Sequence, residues 1–174
     1  MIVGYNMKRI WAPWRMEYIL NYRQAGCFLC DICQDDKDEQ SLVLKRGKSS
    51  FLLLNKYPYN NGHLLIAPYR HIDSLESMAE PEMTEMMQMA SSACKILRAS
   101  MHPDGFNLGL NIGAAAGAGL KDHIHLHIVP RWEGDTNFMP VLGEVKIIPQ
   151  PLDELWRKLR KEISRKGAKN AKDK

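Results

Sequence analysis

Hydrophobic and polar residues follow two different periods along the chain, and the two periods predict different elements. Over residues 106–112, four apolar residues alternate with Asn107, Gly109 and Asn111. A period of two places successive side chains on opposite faces of a strand. We therefore predict a half-buried strand here, with Asn111 on its polar face.

Two apolar runs precede this strand, at residues 51–55 and 63–67. The segment between them contains Pro58, Asn61 and Gly62, which are residue types that favour turns. Short apolar runs joined by such a segment are typical of a β-hairpin. We predict that the two runs form an antiparallel pair.

A helical period replaces the alternation over residues 80–100, and Pro81 is suited to the first turn of a helix. We interpret the apolar residues of this helix, including its methionines, as core packing rather than as a ligand-binding surface. They are Met83, Met86, Met87, Ala90, Cys94 and Leu97.

A second amphipathic helix is predicted after Pro149. Its apolar side consists of Leu152, Leu155, Trp156, Leu159 and Ile163. Because the strands are joined by short hairpin-type connections, this order of elements favours an α+β meander over a parallel sheet. A chain of 174 residues is long enough for one sizeable core, and we expect a single domain over residues 1–163.

The formal net charge of +4 is concentrated near the end of the chain, where nine Lys and Arg residues follow Trp156. The body of the chain is therefore not strongly basic, and nucleic acid is not an expected partner. We expect residues 164–174 to form a basic, disordered tail in contact with solvent.

The first residues lack the pattern of a signal peptide, and no apolar stretch is long enough to cross a membrane. We therefore expect a cytoplasmic protein without a membrane partner. A reducing compartment disfavours structural disulfides, so the four cysteines are expected as thiols or metal ligands. They are Cys27, Cys30, Cys33 and Cys94.

Three histidines, His123, His125 and His127, alternate with apolar residues over residues 123–129. The period of two predicts a strand with all three imidazoles on one face and a buried apolar face opposite. Core histidines normally occur singly, whereas half of the six histidines of the chain lie on this one strand. We favour a functional site over three unrelated core or surface histidines.

A metal site is one use of such a face, because imidazole nitrogens on one strand face can converge on zinc. Cys27 and Cys30 supply a thiolate pair at the spacing of zinc ligands. His71 and one histidine of the strand would complete four ligands, which leaves two histidines for chemistry. The alternative is a metal-free Cys-x-x-Cys pair of structural or redox character.

Nucleophilic chemistry is the other use, since a neutral imidazole attacks phosphorus without needing a separate base. Attack on an α-phosphate gives a phosphoramidate, and a neighbouring imidazolium can protonate the departing oxygen. Gly113, Gly117 and Gly119 lie just before the histidines. Their backbone amides can hold phosphate oxygens, although a Gly/Ala run alone is a weak motif.

The motif His-φ-His-φ-His-φ-φ, where φ is apolar, fits residues 123–129 and resembles the signature of the histidine triad (HIT) family. The similarity includes Asn55, residues 62–66, His71 and residues 111–113, and it spans most of residues 27–132. Three further segments resemble the bacterial branch of diadenosine tetraphosphate phosphorylases and hydrolases. They are residues 11–15, 116–119 and 130–132.

The resemblance implies a HIT-like fold: a five-stranded antiparallel sheet, one long central helix and a C-terminal helix, in a homodimer whose two sheets are continuous. It also implies cleavage of a dinucleoside polyphosphate, with release of a nucleoside monophosphate to water or a diphosphate to orthophosphate. By the same resemblance His125 is the nucleophile that becomes nucleotidylated. His127 contacts the phosphates and helps to protonate the leaving group, and His63 is the distal site histidine. Asn55 binds the ribose, and Asn111 is a site asparagine.

Zinc-bearing relatives imply a structural zinc held by Cys27, Cys30, His71 and His123, in agreement with the ligand count from the residues themselves. Cys33 is not needed in that set, and we interpret it as a reduced packing cysteine.

The chain departs from the family pattern at Gly119 and Leu120, where many members carry Gln followed by Ser or Thr. A side-chain donor to the phosphates or to the attacking water is therefore missing. We hypothesise that this loss favours orthophosphate over water as the acceptor. Two alternatives to a dinucleotide-cleaving enzyme are a non-catalytic adenine-nucleotide sensor and an enzyme that removes adenylate from nucleic-acid ends.

Overall fold

The computed structural model describes residues 26–135 and 148–172. Residues 11–15, which contribute to the resemblance, lie outside these ranges. The elements in chain order are helix α1 (Phe28–Gln34), strands β1 (Val43–Arg46), β2 (Ser50–Leu54) and β3 (Leu64–Pro68), helix α2 (Glu80–Met101), strand β4 (Gly105–Leu110), a 3₁₀ turn (Ala114–Ala116), strand β5 (Leu126–Arg131) and helix α3 (Leu152–Lys172).

The five strands form one antiparallel sheet in the order β1-β2-β3-β5-β4. The predicted hairpin is confirmed, because Leu52 of β2 lies opposite Ile66 of β3. The expectation of an α+β fold with a five-stranded antiparallel sheet is also confirmed. Among the described helices, none combines the length and the apolar character needed to span a membrane.

Both faces of the sheet are buried, by different elements. On one face, alternate residues such as Leu52 and Ile66 pack with α2 and with Leu155 and Leu159 of α3. On the other face, the intervening residues pack with Leu29 of α1. Because β2 and β3 are covered on both sides, every residue of these two strands is buried.

Helix α2 ends one residue beyond its predicted end, but part of its predicted buried stripe was wrong. Met83 and Met87 are 40% and 59% exposed. The buried side instead consists mainly of Met86, Met89, Ala90, Ala93, Ile96 and Leu97. Ala90 and Ala93 are 1% and 0% exposed and belong to the same core cluster as the sheet residues, so this row faces the core and the two exposed methionines lie to one side.

The predicted start of the histidine strand, at His123, was also wrong. Strand β5 begins at Leu126, which pairs with Ile66 and Leu110, so His123 and His125 precede it. The chain leaves the ladder there because the N–H of Ile124 donates to the carbonyl of Ile72, beyond the end of β3.

The predicted strand at residues 106–112 ends earlier than expected, at Leu110. Leu108 and Ile112 are 44% and 42% exposed instead of buried. Both differences have one cause within the described residues: β4 is an edge strand that pairs only with β5.

Helix α3 carries the predicted apolar side, and Leu155 and Leu159 are fully buried. The indole Nε1–H of Trp156 donates to the carbonyl of Val43 at 2.9 Å, which attaches α3 to the edge strand β1. The helical backbone continues to Lys172, past Ser164, where we expected a disordered tail. Lys, Arg and Ala are good helix formers, so a basic composition does not by itself end a helix. The division at residue 163 remains a prediction.

Candidate functional site

Three histidines, one in β5 and two just before β5 and β3, meet on the α1 side of the sheet. His127 of β5 lies opposite Leu65 of β3, so its side chain points to the face on which Leu65 packs with α1. The ring centroid of His127 lies 4.9 Å from that of His125 and 5.1 Å from that of His63, the residue that precedes β3. All three side chains are buried, with at most 9% exposure.

Hydrogen bonds determine which nitrogen of His63 and His127 carries the proton. The main-chain N–H of Tyr59 donates to Nδ1 of His63 at 3.0 Å, so this nitrogen is an acceptor. Nε2–H of His63 therefore donates to Nδ1 of His127 at 2.9 Å. The proton of a neutral His127 must then be on its Nε2, a buried atom with no hydrogen-bond partner among the described residues.

His125 has the opposite tautomer. Its Nδ1–H donates to the main-chain carbonyl of His123 at 2.8 Å, which leaves the lone pair of Nε2 unprotonated. The site thus places an imidazole with a free lone pair beside an imidazole with an N–H donor. A nucleophile and a donor in contact are the combination that displacement at phosphorus requires.

Burial keeps both rings neutral. Removal from water lowers the pKa of His125, and a hydrogen bond to His123 only partly opposes this effect. Burial, with a smaller contribution from His125, lowers the pKa of His127 to about 4. We expected a neighbouring imidazolium as the proton donor, and the structure instead favours a neutral imidazole with its proton on Nε2.

The residues expected to contact the nucleotide lie around these histidines. Nδ2 of Asn55 is 3.2 Å from Nδ1 of His63, and Oδ1 of Asn55 accepts the N–H of Tyr57 at 2.9 Å. Asn111 directly follows Leu110, the last residue of β4, which pairs with Leu126 at the start of β5.

The glycine-rich segment forms the exposed connection between β4 and the histidines. Gly113 and Gly117 have φ values of +78° and +81° on either side of the 3₁₀ turn. Such left-handed backbone favours glycine. Gly119 is exposed, whereas the following Leu120 is only 6% exposed and packs with the α1-side core. Leu120 therefore offers no polar group at the position where the family pattern has one.

The predicted zinc ligands come together as a second cluster next to the first. One ligand atom from each of Cys27, Cys30, His71 and His123 lies within 4.8 Å of all the others. Nδ1 of His123 is 3.2 Å from Sγ of Cys27 and 3.6 Å from Sγ of Cys30. Nδ1 of His71 is 3.3 Å from Sγ of Cys30.

These distances and the donor set fit zinc. Tetrahedral zinc with bonds of about 2.3 Å to sulfur and 2.0 Å to nitrogen needs S···N edges of about 3.5 Å. Nε2–H of His123 donates to the carbonyl of Pro68 at 2.9 Å, so the lone pair of Nδ1 faces the sulfurs. Burial raises the pKa of the Cys27 thiol to about 11, and a bound cation would stabilise the thiolate.

Cys33 is partly buried and packs against the α1-side core, as expected of a packing cysteine. His102, which belongs to none of the motifs, is an exposed residue at the end of α2.

Tyr59 and the carbonyls of His123 and Pro68 were not identified from the sequence as parts of the site. Tyr59 lies in the turn between β2 and β3, and its ring contacts both His63 and His127. A turn tyrosine carries no periodic signal, and a main-chain carbonyl carries none at all, so only the fold reveals them.

Known proteins are similar to this chain in sequence and in fold. Residues 36–134, more than half of the chain, match the HIT domain. The chain is 38% identical to an AP-4-A phosphorylase of Mycobacterium tuberculosis in an alignment of 167 positions, which covers 91% of this chain and 86% of the relative. It is 28% identical to a bis(5'-adenosyl)-triphosphatase of Dictyostelium discoideum, over 55% of this chain and 64% of the relative.

Solved structures share the fold. A zinc-bound histidine triad family protein from Mycobacterium smegmatis aligns with a TM-score of 0.66 and 24% identity, covering 82% of this chain and 96% of that one. The chain belongs to the histidine triad family.

Proposed function

We propose that the protein is an enzyme that cleaves a dinucleoside polyphosphate at an α-phosphate through a nucleotidyl-His125 intermediate. One observation carries the proposal: the unprotonated Nε2 of His125 lies beside the N–H donor of His127 in a buried site. The names of the M. tuberculosis and D. discoideum relatives support a dinucleoside polyphosphate as the substrate.

In the first step, the lone pair of Nε2 of His125 attacks the α-phosphorus. The bond from phosphorus to the bridging oxygen breaks, and the leaving nucleotide departs with the electron pair. Nε2–H of the neutral His127 donates a hydrogen bond to this oxygen and stabilises the negative charge that develops on it. The Nδ1–H bond from His125 to the carbonyl of His123 stabilises the positive charge that forms on the ring.

In the second step, an oxygen of the acceptor attacks the phosphoramidate and the P–N bond breaks. The electron pair returns to Nε2 of His125. Orthophosphate as acceptor yields a nucleoside diphosphate, and water yields a monophosphate. His63 keeps the proton of His127 on Nε2 throughout, because its own Nε2–H occupies Nδ1 of His127.

The remaining contacts are assigned to the nucleotide. Oδ1 of Asn55 has a second lone pair for a ribose hydroxyl besides the one used by Tyr57. Asn111 and the amides of Gly117 and Gly119 would bind the phosphate oxygens, since amides of left-handed turns form anion-binding concavities.

We further propose that orthophosphate is the preferred acceptor. No polar side chain is available at Gly119 or Leu120 to orient a water, and Leu120 points into the core. The relative named as a phosphorylase, which matches 91% of this chain, supports this choice.

The test is incubation with diadenosine tetraphosphate, with and without orthophosphate, with products resolved by mass. The phosphorylase proposal predicts ADP and ATP, at a rate that rises with orthophosphate. Equal rates of cleavage with and without orthophosphate would contradict it, and AMP with ATP would identify a hydrolase. Binding without any cleavage would favour the sensor.

A structural zinc at Cys27, Cys30, His71 and His123 is part of the proposal, and the donor set and its S···N distances support it. When bound, the ion would join α1 to the residues that precede β5. Elemental analysis of purified protein should find one zinc per chain, and Cys30→Ser should lower this content, whereas Cys33→Ser should not. Metal-free wild-type protein would overturn the assignment.

A homodimer with a continuous sheet is also proposed. Strand β4 is one of the two edges of the sheet within the described residues, and Leu108 in this strand and Ile112 just beyond it are exposed. An exposed strand edge with apolar side chains is suited to pairing with a second copy. Cytoplasmic location remains a prediction.

A further inference from the structure

Tyr59 covers the buried histidine pair from the solvent side. Its ring centroid lies 4.7 Å from that of His63 and 5.6 Å from that of His127, and it is stacked on His127 at an interplanar angle of 15°. The Tyr59 residue is 38% exposed, whereas His63 and His127 are 0% and 9% exposed. The phenol ring thus lies between the two imidazoles and water.

The main chain of Tyr59 acts on the same pair. Its N–H donates to Nδ1 of His63, and this bond begins the chain of hydrogen bonds that leaves the proton of His127 on Nε2. Tyr59 therefore contributes to both the tautomer of the pair and its exposure, and Nδ2 of Asn55 acts on the same Nδ1 of His63 at 3.2 Å.

The backbone of this turn is held independently of the Tyr59 ring. Nδ2 of the adjacent Asn60 donates to the carbonyl of Pro130 at 3.0 Å and to Oδ2 of Asp135 at 2.9 Å. Gly62 packs so closely that a Cβ there would lie 2.8 Å from Sδ of Met101. Removal of the ring should therefore expose the histidines without moving the N–H of Tyr59.

We propose that Tyr59 is a positioning residue that, by covering the His63–His127 pair, keeps His127 neutral and its Nε2–H directed at the substrate. The catalytic consequence rests on the proposed function, whereas the effect on His127 belongs to the free protein. Burial is the main reason that the pKa of His127 is low. The titratable groups shown in contact with His127 are His63, His125 and Tyr59, and none of them is a carboxylate.

The first experiment measures the imidazole nitrogens of the free, full-length protein by NMR across a pH titration. Tyr59→Ala should raise the pKa of His127 by about one unit, because water reaches the ring. Tyr59→Phe is the matched control and should titrate like the wild type. An unchanged His127 titration in a folded Tyr59→Ala protein would overturn the proposal, and so would a Tyr59→Phe protein that behaves like Tyr59→Ala.

The second experiment measures kcat/KM for diadenosine tetraphosphate against pH. We expect kcat/KM of Tyr59→Ala to be about tenfold lower near neutral pH, equivalent to about 1.4 kcal/mol in the barrier, because Nε2–H of His127 is no longer held toward the substrate. The acidic limb of its profile should move to higher pH, because His127 then gains a proton more readily. Tyr59→Phe should stay near the wild-type profile. A Tyr59→Ala profile that matches the wild type would contradict the catalytic part.

The two readouts separate two kinds of failure. If no variant cleaves the dinucleotide, the proposed function fails, while the NMR titration still decides the role of Tyr59. If Tyr59→Ala does not fold, Tyr59→Val removes the aromatic ring with a smaller loss of apolar volume and is judged by the same NMR outcomes.

Discussion

At the scale of single residues, the site depends on where three imidazoles carry their protons. Main-chain groups decide this: the N–H of Tyr59 orients His63, and the carbonyl of His123 orients His125. His127 receives its tautomer from His63. A buried, neutral histidine has a further consequence, because the unfolded chain binds a proton more readily than the folded one does.

This consequence predicts a pH dependence of stability. The pKa of His127 is about 4 in the folded protein and near 6.5 in its ordinary state. Well above pH 6.5 the ring is neutral in both the folded and the unfolded state, so His127 does not lower the free energy of unfolding. As the pH falls from 6.5 to 4, the unfolded state gains a proton that the folded state does not. The free energy of unfolding therefore decreases by up to about 1.4 kcal/mol for each unit by which the pH falls.

Urea unfolding at pH 7 and pH 5 checks this dependence. His127→Gln should lose less stability than the wild type on going to pH 5. His102→Gln, a change at an exposed histidine, should keep the wild-type loss. Identical losses for all three proteins would contradict the account of His127.

The grouping of the histidines could be predicted at this scale, because their alternation and the cysteine pair are visible in the sequence. The neutral state of His127, the hydrogen-bond donor, could not be predicted from the sequence. It results from burial by residues that are distant along the chain, as in the contact of His127 with Tyr59.

At the scale of elements, α2 and the β1–β2 turn are joined by one carboxylate. Glu85 accepts hydrogen bonds from the N–H groups of Lys48 and Ser49, each at 2.7 Å, and from the hydroxyls of Ser49 and Ser50. Burial opposes the charge of Glu85, but these hydrogen bonds prevail and lower its pKa to about 2. A Cβ at Gly47 would clash with Cε of Met89 and with the carboxylate of Glu85, so a larger residue there would displace these side chains.

We predict that Glu85→Gln destabilises the fold by about 2 kcal/mol, the contribution expected of hydrogen bonds to a charged group. Urea denaturation at neutral pH measures it. Glu80→Gln, at an exposed position of the same helix, should change stability by less than about 0.5 kcal/mol. Equal effects of the two substitutions would argue against the role given to Glu85.

The helices and strands that were predicted correctly are those with a long hydrophobic period or a clear turn signal in the sequence. Helix α2 extends over 22 residues, and the β2–β3 pair has a clear turn between two apolar runs. Strand β1 and helix α1 have only four and seven residues, so neither shows a period, and both were missed. The buried side of α2 was partly wrong because apolar residues lie on more than one side, and only packing decides which side faces the sheet.

At the scale of the whole molecule, the sheet separates two apolar clusters, and the candidate site lies on the face with the smaller one. The exposed apolar residues lie elsewhere. Leu108 and Ile112 lie at and just beyond the edge strand β4, and Met83 and Met87 lie on α2. Dimer formation through this edge would explain why apolar side chains predicted to be buried are exposed in a single chain.

We predict that Leu108→Asp converts a dimer into a monomer, because a charge at the edge strand disfavours pairing with another strand. Sedimentation equilibrium of the wild type should give twice the mass of the chain. Leu75→Asp, at a residue that is 41% exposed outside β4, should remain dimeric. A monomeric wild type, or a Leu108→Asp protein that stays dimeric, would contradict the proposed interface.

The central claim is that His125 becomes covalently nucleotidylated, and one measurement tests it most directly. The protein is mixed with diadenosine tetraphosphate in the absence of orthophosphate, quenched in alkali, and its intact mass and modified peptide are determined. The account predicts one adenylyl group on His125, lost on addition of orthophosphate before the quench, and no adduct in His125→Asn. Wild-type turnover in His125→Asn, or an adduct on another residue, would contradict it.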